Sequence, residues 1–245
     1  MIYLCDNHSA VYAHVHAHPA PSTWVHIDAH CDMRGLYVNR ADAQAWRWRD
    51  EPMSASTWLG WLIQEGHVSE VSWIHDEVGG RGNDLNTVRY ASDLQHFPYG
   101  LNRAPKGPGC PLVLEERHFD RWRLERRDVV LDLDWDFFAD LRKAPDRRER
   151  EVAEFLETKL TVVPERVYCA YSPFYSVPDR DRYVRFVQQL STVLDLPVSV
   201  LPEPASPPHG LARALPKSVR GWARRSVLWT KKQIWMRNGL MDPGE

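Results

Sequence analysis

Two groups of aspartate and histidine follow apolar runs of the sequence and share a spacing of two residues. Their members are Asp28, His30 and Asp32 in the first group and Asp132, Asp134 and Asp136 in the second. Side chains two residues apart lie on one face of a β-strand, so each group can direct several ligands to one point. Carboxylates that converge in this way repel one another unless cations neutralise them. The pattern therefore predicts a site for hard divalent metal ions, with room for two.

Such a site would suit a hydrolase. Two divalent ions about 3.5–4 Å apart, bridged by a carboxylate and a water, lower the pKa of that water and make hydroxide available near neutral pH. Asp and His ligands without cysteine favour Mn²⁺ over a structural zinc. Any one of these residues alone could cap a strand or lie in the core. Together they are charged groups with no cationic side chain nearby in the sequence, and burying them unpaired is costly.

The elements that must position these residues alternate between strand and helix. Strands are expected at residues 2–5, 23–32, 70–74, 111–114, 128–134, 166–171 and 196–201, and helices at 9–18, 54–66, 147–160 and 179–194. This alternation predicts an α/β sandwich with a mainly parallel sheet, in which ligands meet beyond the carboxyl ends of the strands. His8 ends the first strand and is a third source of ligands. His26 lies two residues deeper than Asp28 and is expected in the core.

Some segments are expected to be irregular or separate from the main domain. A polar, arginine-bearing loop should follow Asp32, and residues 83–110 lack periodicity, so a long loop or insertion is expected there. Residues 1–201 are expected to form the metal-dependent domain. Residues 202–245 then form a proline-rich boundary and a basic amphipathic segment, which is more typical of a packed helix than of a binding arm.

Composition limits the class of protein. The 245 residues, 43% of them hydrophobic, suit one main domain, and a formal net charge of −2 gives no bias toward nucleic acid or membrane partners. No segment has the pattern of a secretion signal or a transmembrane helix, so a cytoplasmic location is expected. The cysteines have no paired spacing and are expected as thiols: Cys5, Cys31, Cys110 and Cys169. A homo-oligomer remains open.

The motifs resemble signatures of the arginase and ureohydrolase superfamily. Ile27 to Asp32 is similar to its D-A-H-x-D element, Leu131 to Asp134 to its later D-x-D element, and Asp6 to Ser9 to its upstream D-H-S element. The short chain and the run from Asp132 to Phe138 more closely resemble a divergent branch that includes the peptide arginases of ribosomal peptide biosynthesis. The resemblance spans residues 1 to 200 and implies a three-layer sandwich of the arginase/deacetylase type.

The resemblance also implies a ligand set and a reaction. It assigns one Mn²⁺ to His8, Asp28, Asp32 and Asp132, and a second to Asp28, His30, Asp132 and Asp134. Asp28 and Asp132 would then bridge the two ions. The implied reaction is hydrolysis of the guanidinium group of arginine, with an arginyl side chain in a peptide as substrate, to ornithine and urea.

Two residues of that family have no clear counterpart here. Its proton-shuttle histidine should follow the first motif closely, but no histidine lies between His30 and His67, and its guanidinium-pairing glutamate is missing from Tyr171 to Tyr175. His75 is therefore the candidate proton shuttle and Asp76 the candidate guanidinium partner, with loop residues without a catalytic role as the alternative. Asp136 is expected either to orient a metal ligand or to cap the helix that follows it.

Other functions fit parts of the pattern. His14, His16 and His18 have a metal-binding spacing found in amidohydrolases and metallo-β-lactamases, but those folds need more late histidines than the chain contains. These three residues are expected at the surface. The run Leu131 to Asp134 also resembles the nucleophile motif of haloacid-dehalogenase-type phosphatases, which leaves the first group unexplained. A hydrolase of another amide or amidine, and a non-catalytic metal-stabilised peptide-binding protein, remain as alternatives.

Overall fold

The computed structural model describes residues 1–33, 35–39, 42–48, 53–76, 113–140, 142–172, 176–177 and 179–202. Its strands are β1 (Ile2–Cys5), β2 (Thr23–Ile27), β3 (Leu36–Asn39), β4 (Asp42–Trp48), β5 (Glu70–His75), β6 (Val113–His118), β7 (Val130–Asp134), β8 (Arg166–Ala170) and β9 (Val198–Val200). Its helices are α1 (His8–Ala17), α2 (Trp58–Glu65), α3 (Trp135–Ala139), α4 (Pro145–Glu154) and α5 (Arg180–Leu194). A 3-10 turn covers Phe119–Arg121 and a π-helical turn covers Phe155–Lys159.

Seven of the described strands form one sheet, in which every neighbouring pair is parallel. Their order is β6-β5-β2-β7-β8-β1-β9. β2 and β7 lie side by side in the middle, with Val25 opposite Leu131 and Ile27 opposite Leu133. From β2 the chain continues to β5 and β6 on one side, whereas from β7 it continues to β8 on the other. The carboxyl ends of β2 and β7 therefore meet at a switch point, where open α/β sheets bind ligands.

Apolar side chains cover both faces of this sheet. Val25 and Leu131 enter a core that also contains Phe186 of α5, and Trp24 enters a second core that contains Leu62 of α2. Neighbouring residues of a strand point to opposite faces, so one strand can contribute to both cores. The arrangement confirms the predicted α/β sandwich with a mainly parallel sheet.

The predicted polar loop after Asp32 is wrong in part, because β3 and β4 form a separate antiparallel pair there. Leu36 lies opposite Trp48, and both are buried in the second core. The alternation of Trp46, Arg47 and Trp48 was the available signal for a strand.

Two predicted segments lie outside the described residues: the irregular insertion at residues 83–110, and the basic C-terminal segment beyond Pro202. Within the part of the chain that is described, no helix combines the length and the apolar character required to cross a membrane.

Candidate metal centre

The six predicted metal ligands converge at the carboxyl ends of β1, β2 and β7. Together with two further residues they form what we call the Asp/His cluster: His8, His26, Asp28, His30, Asp32, Asp132, Asp134 and Asp136. Seven of these residues are at most 7% exposed. The side chain of His30 is the exception and is 31% exposed, so it marks the side on which the cluster reaches solvent.

His8 owes its position to a sharp turn from β1 into α1. The Asn7 side chain accepts a hydrogen bond from the Ser9 N–H at 2.9 Å and caps the helix, which makes His8 the first helical residue. The His8 ring stacks on Trp58, the first residue of α2, with ring centroids 4.7 Å apart and an interplanar angle of 4°. The starts of two helices therefore fix this imidazole.

The same imidazole lies between acids from both strand ends. Its Nε2 is 3.3 Å from Asp132 Oδ2, and its Nδ1 is 3.4 Å from Asp32 Oδ2 and 3.5 Å from Asp134 Oδ2. His8 therefore joins the two acidic motifs that the sequence places about one hundred residues apart.

The residues after β2 are held by the backbone and by α2. Asp28 Oδ1 accepts the His30 N–H at 2.7 Å, while the Asp28 N–H donates to Ile74 O of the neighbouring strand β5 at 3.2 Å. Asp32 has a φ of 50°, in the left-handed region that Asp tolerates better than most residues. Its Oδ2 accepts the Trp58 Nε1–H at 2.7 Å. Such a backbone conformation is typical of a functional site.

The residues at the end of β7 are held by α3 and β8. Asp134 caps α3, since its Oδ1 accepts the Asp136 N–H at 2.9 Å, and its Oδ2 accepts the Ser172 hydroxyl at 2.6 Å. Asp136 is therefore not the helix cap, and that half of its prediction is wrong. Instead its Oδ2 lies 2.9 Å from His30 Nδ1, and its Oδ1 accepts the Ala29 N–H at 3.4 Å. Asp136 thus connects α3 to the end of β2.

The cluster contains two groups of close ligand atoms. Within each group these atoms lie within 4.8 Å of one another; the first comprises His8, Asp28, Asp32 and Asp134, and the second Asp28, His30 and Asp136. Both groups contain Asp28, and its bridging of two ions stays a prediction. Asp136 joins the second group, where the sequence analysis expected Asp132 and Asp134.

His26 lies in the core as expected, but it also contacts two of the predicted ligands, Asp28 and Asp132. Its Nδ1 is 2.7 Å from Asp132 Oδ2, and its Nε2 is 3.3 Å from Asp28 Oδ2. His26 is directly opposite Asp132 in the pairing of β2 with β7. The His26 imidazole therefore connects the carboxyl ends of β2 and β7 through Asp28 and Asp132. Asp132 contacts His26 and His8 here, and its bridging of two ions stays a prediction.

The carboxylates of the cluster disturb one another's ionisation. Burial and the charge of Asp28 raise the pKa of Asp32 to about 7, and the same two causes raise the pKa of Asp136 to about 6. Burial and the neighbouring Asp136 raise the pKa of Asp134 well above its usual value. These three carboxyls therefore hold protons more strongly than exposed aspartates do.

The pKa values of His8 and His30 are raised, although burial alone would lower them. Burial lowers the pKa of His8, but Asp132 and Asp134 outweigh it and raise the pKa to about 10. Burial likewise opposes the effect of Asp136 and Asp28 on His30, which raise its pKa to about 12. The cluster thus attracts positive charge strongly.

The donor atoms fit a hard metal ion. Several buried polar atoms make no well-formed hydrogen bond among the described residues, although some of them lie within 3.5 Å of another member of the cluster: both ring nitrogens of His8, His26 Nε2, Asp28 Oδ2, Asp132 Oδ1 and Asp136 Oδ2. These are carboxylate and imidazole donors, a set that suits Mn²⁺ and similar ions. Burial raises the pKa of the neighbouring Cys31 thiol to about 12, and Cys31 belongs to neither group of close ligand atoms.

The two predicted catalytic residues lie at the end of β5. His75 Nδ1–H donates to the carbonyl of Asp76 at 2.9 Å, and its ring lies 4.5 Å from that of Trp73. The Asp76 carboxylate is buried, 2.5 Å from Lys143 Nζ and 3.3 Å from Arg147 Nη2. A substrate guanidinium would have to displace these cations, so this geometry does not favour the predicted guanidinium contact at Asp76.

Trp58 and Ser172 contact the cluster although the sequence analysis gave them no functional role. Trp58 belongs to the apolar stripe predicted for α2, and its contacts with Asp32 and His8 distinguish it from a core residue. Ser172 follows β8, the neighbour of β7, and has a φ of 45°. Its place beyond a strand end was the available signal, because the carboxyl ends of parallel strands lie together.

Comparison with known proteins adds no family assignment. No protein-family model matches the chain, and no curated protein sequence matches it. The functional conclusion therefore depends on the motifs and on the geometry of the Asp/His cluster.

Proposed function

We propose that this protein is a binuclear manganese hydrolase that cleaves the guanidinium group of arginine, within a peptide, to ornithine and urea. The observation that carries the proposal is the buried Asp/His cluster, in which two ligand groups share Asp28. Within the described residues, no lysine or arginine pairs with its carboxylates. The guanidinium substrate and its peptide context come from the resemblance of the motifs to the arginase superfamily.

The proposed ligands are His8, Asp28, His30, Asp32, Asp132 and Asp134, with Asp136 as an additional candidate. Bound manganese would supply Lewis acidity and a nucleophile drawn from water near neutral pH. The contribution of the chain is to hold the ligands in place. Trp58 fixes Asp32, Ser172 fixes Asp134 and His26 fixes Asp132, each by a hydrogen bond of 2.6–2.7 Å. Such outer contacts orient ligands and tune metal affinity.

Substrate access and proton transfer involve the less buried side of the cluster. The partly exposed His30 marks the direction from which a guanidinium carbon can approach. We assign the proton carrier to His75, which follows Ile74, the residue whose carbonyl accepts the Asp28 N–H. Its Nδ1–H is directed to the Asp76 carbonyl. Its role is to help protonate the leaving amine of ornithine.

The test is a reaction of the full-length protein, loaded with Mn²⁺, with an arginine-containing peptide. Mass spectrometry should show arginine converted to ornithine, with one urea released for each residue converted. The matched controls are the same peptide with lysine in place of arginine and the Asp32→Asn variant, which removes one charge from the first ligand group. Neither control should release urea.

The outcomes separate the competing functions. If metal-loaded protein releases no urea from this peptide, free arginine, agmatine or guanidino acids, the guanidinium assignment is wrong. Tight binding of the intact peptide under those conditions would then favour the metal-stabilised binding protein. Conversion of free arginine but not of peptides would keep the reaction and change the substrate.

A further inference from the structure

A second group of metal-binding side chains lies at the far ends of helices α1 and α2. His16 is near the end of α1, Glu65 is the last residue of α2, and His67 follows two residues later. One ligand atom from each lies within 4.8 Å of the others. His16 Nε2 is 2.8 Å from Glu65 Oε2, and the rings of His16 and His67 are 4.5 Å apart between centroids. A single ion can therefore contact all three side chains.

This group is separate from the Asp/His cluster. His8, at the start of α1, belongs to that cluster, and His16 lies eight residues further along the same helix. Eight residues correspond to about 12 Å along a helix axis. The two groups therefore lie at opposite ends of α1.

The backbone fixes the position of His67. α2 ends at Gly66, which has a φ of 85° in the left-handed region where glycine carries no steric penalty. The His67 N–H then donates to Leu62 O at 2.9 Å, which closes the turn. The imidazole consequently leaves the chain beside Glu65 rather than continuing the helix.

Tyr12 fixes the carboxylate of Glu65. Its hydroxyl donates to both carboxylate oxygens, at 2.9 and 3.1 Å, from a position one helical turn before His16. Burial and the hydrogen bond to Glu65 raise the pKa of Tyr12 above its usual value, so the phenol keeps its proton. Hydrogen bonds of this kind orient the carboxylates that bind metals.

The chemistry of the group differs from that of the Asp/His cluster. It offers two imidazoles and one carboxylate, a set typical of zinc and other borderline transition metals.

We propose that His16, Glu65 and His67 form a surface site for a borderline divalent transition-metal ion, with Zn²⁺ as the reference ion. Three protein ligands leave a fourth position for water. The bound ion joins the ends of α1 and α2, the same helices whose first residues, His8 and Trp58, stack in the Asp/His cluster. This site is independent of the proposed hydrolysis.

The test measures zinc binding to the full-length protein that has first been loaded with Mn²⁺. Competition with a chromophoric zinc indicator gives the number of zinc equivalents and their affinities. His16→Ala and His67→Ala should each bind one zinc equivalent fewer than the wild type. His18→Ala is the matched control, because His18 is another exposed histidine near the end of α1 that lies outside the group, and it should bind as many as the wild type.

Two further measurements test whether the zinc ion stabilises the folded protein and whether Tyr12 orients its carboxylate ligand. Zinc should raise the melting temperature of the wild type and His18→Ala but not of His67→Ala, since only the first two hold the ion in the folded state. Tyr12→Phe should weaken this zinc site about tenfold while keeping its stoichiometry. Unchanged zinc stoichiometry and affinity in His67→Ala would overturn the proposal, as would an equal loss in His18→Ala.

Discussion

Two buried acidic regions of this protein differ in the source of their countercharge. The first is the Asp/His cluster. The second, which we call the ion-pair cluster, comprises Asp76, Lys143, Arg147 and Glu151. In it Lys143 Nζ lies 2.5 Å from Asp76 and 2.6 Å from Glu151, and Arg147 Nε lies 2.8 Å from Glu151. Two carboxylates meet two cations, so the charges balance.

The Asp/His cluster has no such balance. Five buried carboxylates meet three imidazoles there, so with every carboxylate ionised the charge of the cluster is −2 even when every imidazole is protonated. Buried charge is costly unless it is paired, and the chain supplies the pairing in one region and not in the other. Burial of acids alone therefore does not distinguish a functional site from a structural one. The deficit of cationic side chains is what distinguishes the Asp/His cluster, because uncompensated carboxylates can bind metal ions.

The largest effect should come from Asp28→Asn. This substitution keeps the shape of the side chain but removes the charge of the ligand that both groups share, so both manganese ions and all detectable urea release should be lost. Metal analysis after dialysis, together with a urea assay, measures this. Asp181→Asn, in an exposed acid of α5, is the matched control and should change neither quantity. Two retained ions with turnover in Asp28→Asn would show that Asp28 is not shared.

Lys143→Met should affect the ion-pair cluster alone. The substitution leaves Asp76 and Glu151 with Arg147 as their remaining cation in this cluster, and removing one partner from a buried pair lowers the free energy of unfolding by about 3–5 kcal/mol. Urea unfolding measures this. Arg117→Met, in the exposed pair with Glu115, should cost at most about 1 kcal/mol. The manganese content should stay unchanged in both variants, and a loss of manganese in Lys143→Met would mean that the two regions are coupled.

The metal-free protein should become less stable as the pH rises from 5 to 8. The folded chain raises the pKa of Asp32 from 3.8 to about 7 and that of Asp136 to about 6, so these carboxyls bind protons that the unfolded chain has released. Their contribution is complete below pH 3.8 and is lost as the pH rises through 6 and 7. For Asp32 the part of this loss that falls between pH 5 and 8 amounts to about 3 kcal/mol. His8, whose pKa rises from 6.5 to about 10, adds a loss in the same direction above pH 6.5.

Urea unfolding in EDTA and in Mn²⁺ across this pH range measures the effect. Bound manganese should abolish the decline, because the ions replace the protons that the cluster otherwise holds. The lowered pKa values of Asp28 and Asp132 act only at strongly acidic pH and leave this range unaffected. Equal pH slopes with and without two bound ions would contradict the proposed source of the countercharge.

The sequence predicts well which residues converge at the strand ends, and it predicts the contacts between distant elements poorly. An apolar strand followed by Asp and His at a spacing of two defines its candidate ligands locally, so the members of both acidic motifs could be identified without any tertiary contact. The pairing of Asp76 with Arg147 joins residues 71 positions apart and depends on where α4 packs. The sequence alone therefore predicts a substrate-binding role for Asp76, although its charge is already paired.

The same difference between local patterns and tertiary contacts applies to the prediction of the fold and of the role of Asp136. Alternation of strand and helix was sufficient to predict the parallel sheet. Which of Asp134 and Asp136 caps α3 depends on where β7 ends and the helix begins, a boundary that local sequence fixes only within a few residues. The contact of Asp136 with His30 depends further on β2 and β7 being neighbours.

Substitution of His26 should have the smallest effect, and it tests whether this residue acts in core packing or in orienting a metal ligand. In His26→Leu the Asp132 carboxylate loses its hydrogen bond, so manganese affinity should fall about 10–100-fold, whereas turnover at saturating manganese should change little. His26→Asn is the matched control, because its amide nitrogen can occupy the region of Nδ1 and should recover part of the affinity. Manganese titration of both variants, with urea unfolding in parallel, separates the two roles. If His26→Leu alters stability but leaves manganese affinity at the wild-type value, His26 acts only in core packing. Recovery of affinity in His26→Asn would identify the hydrogen bond to Asp132 as the link between the core and the metal ligands.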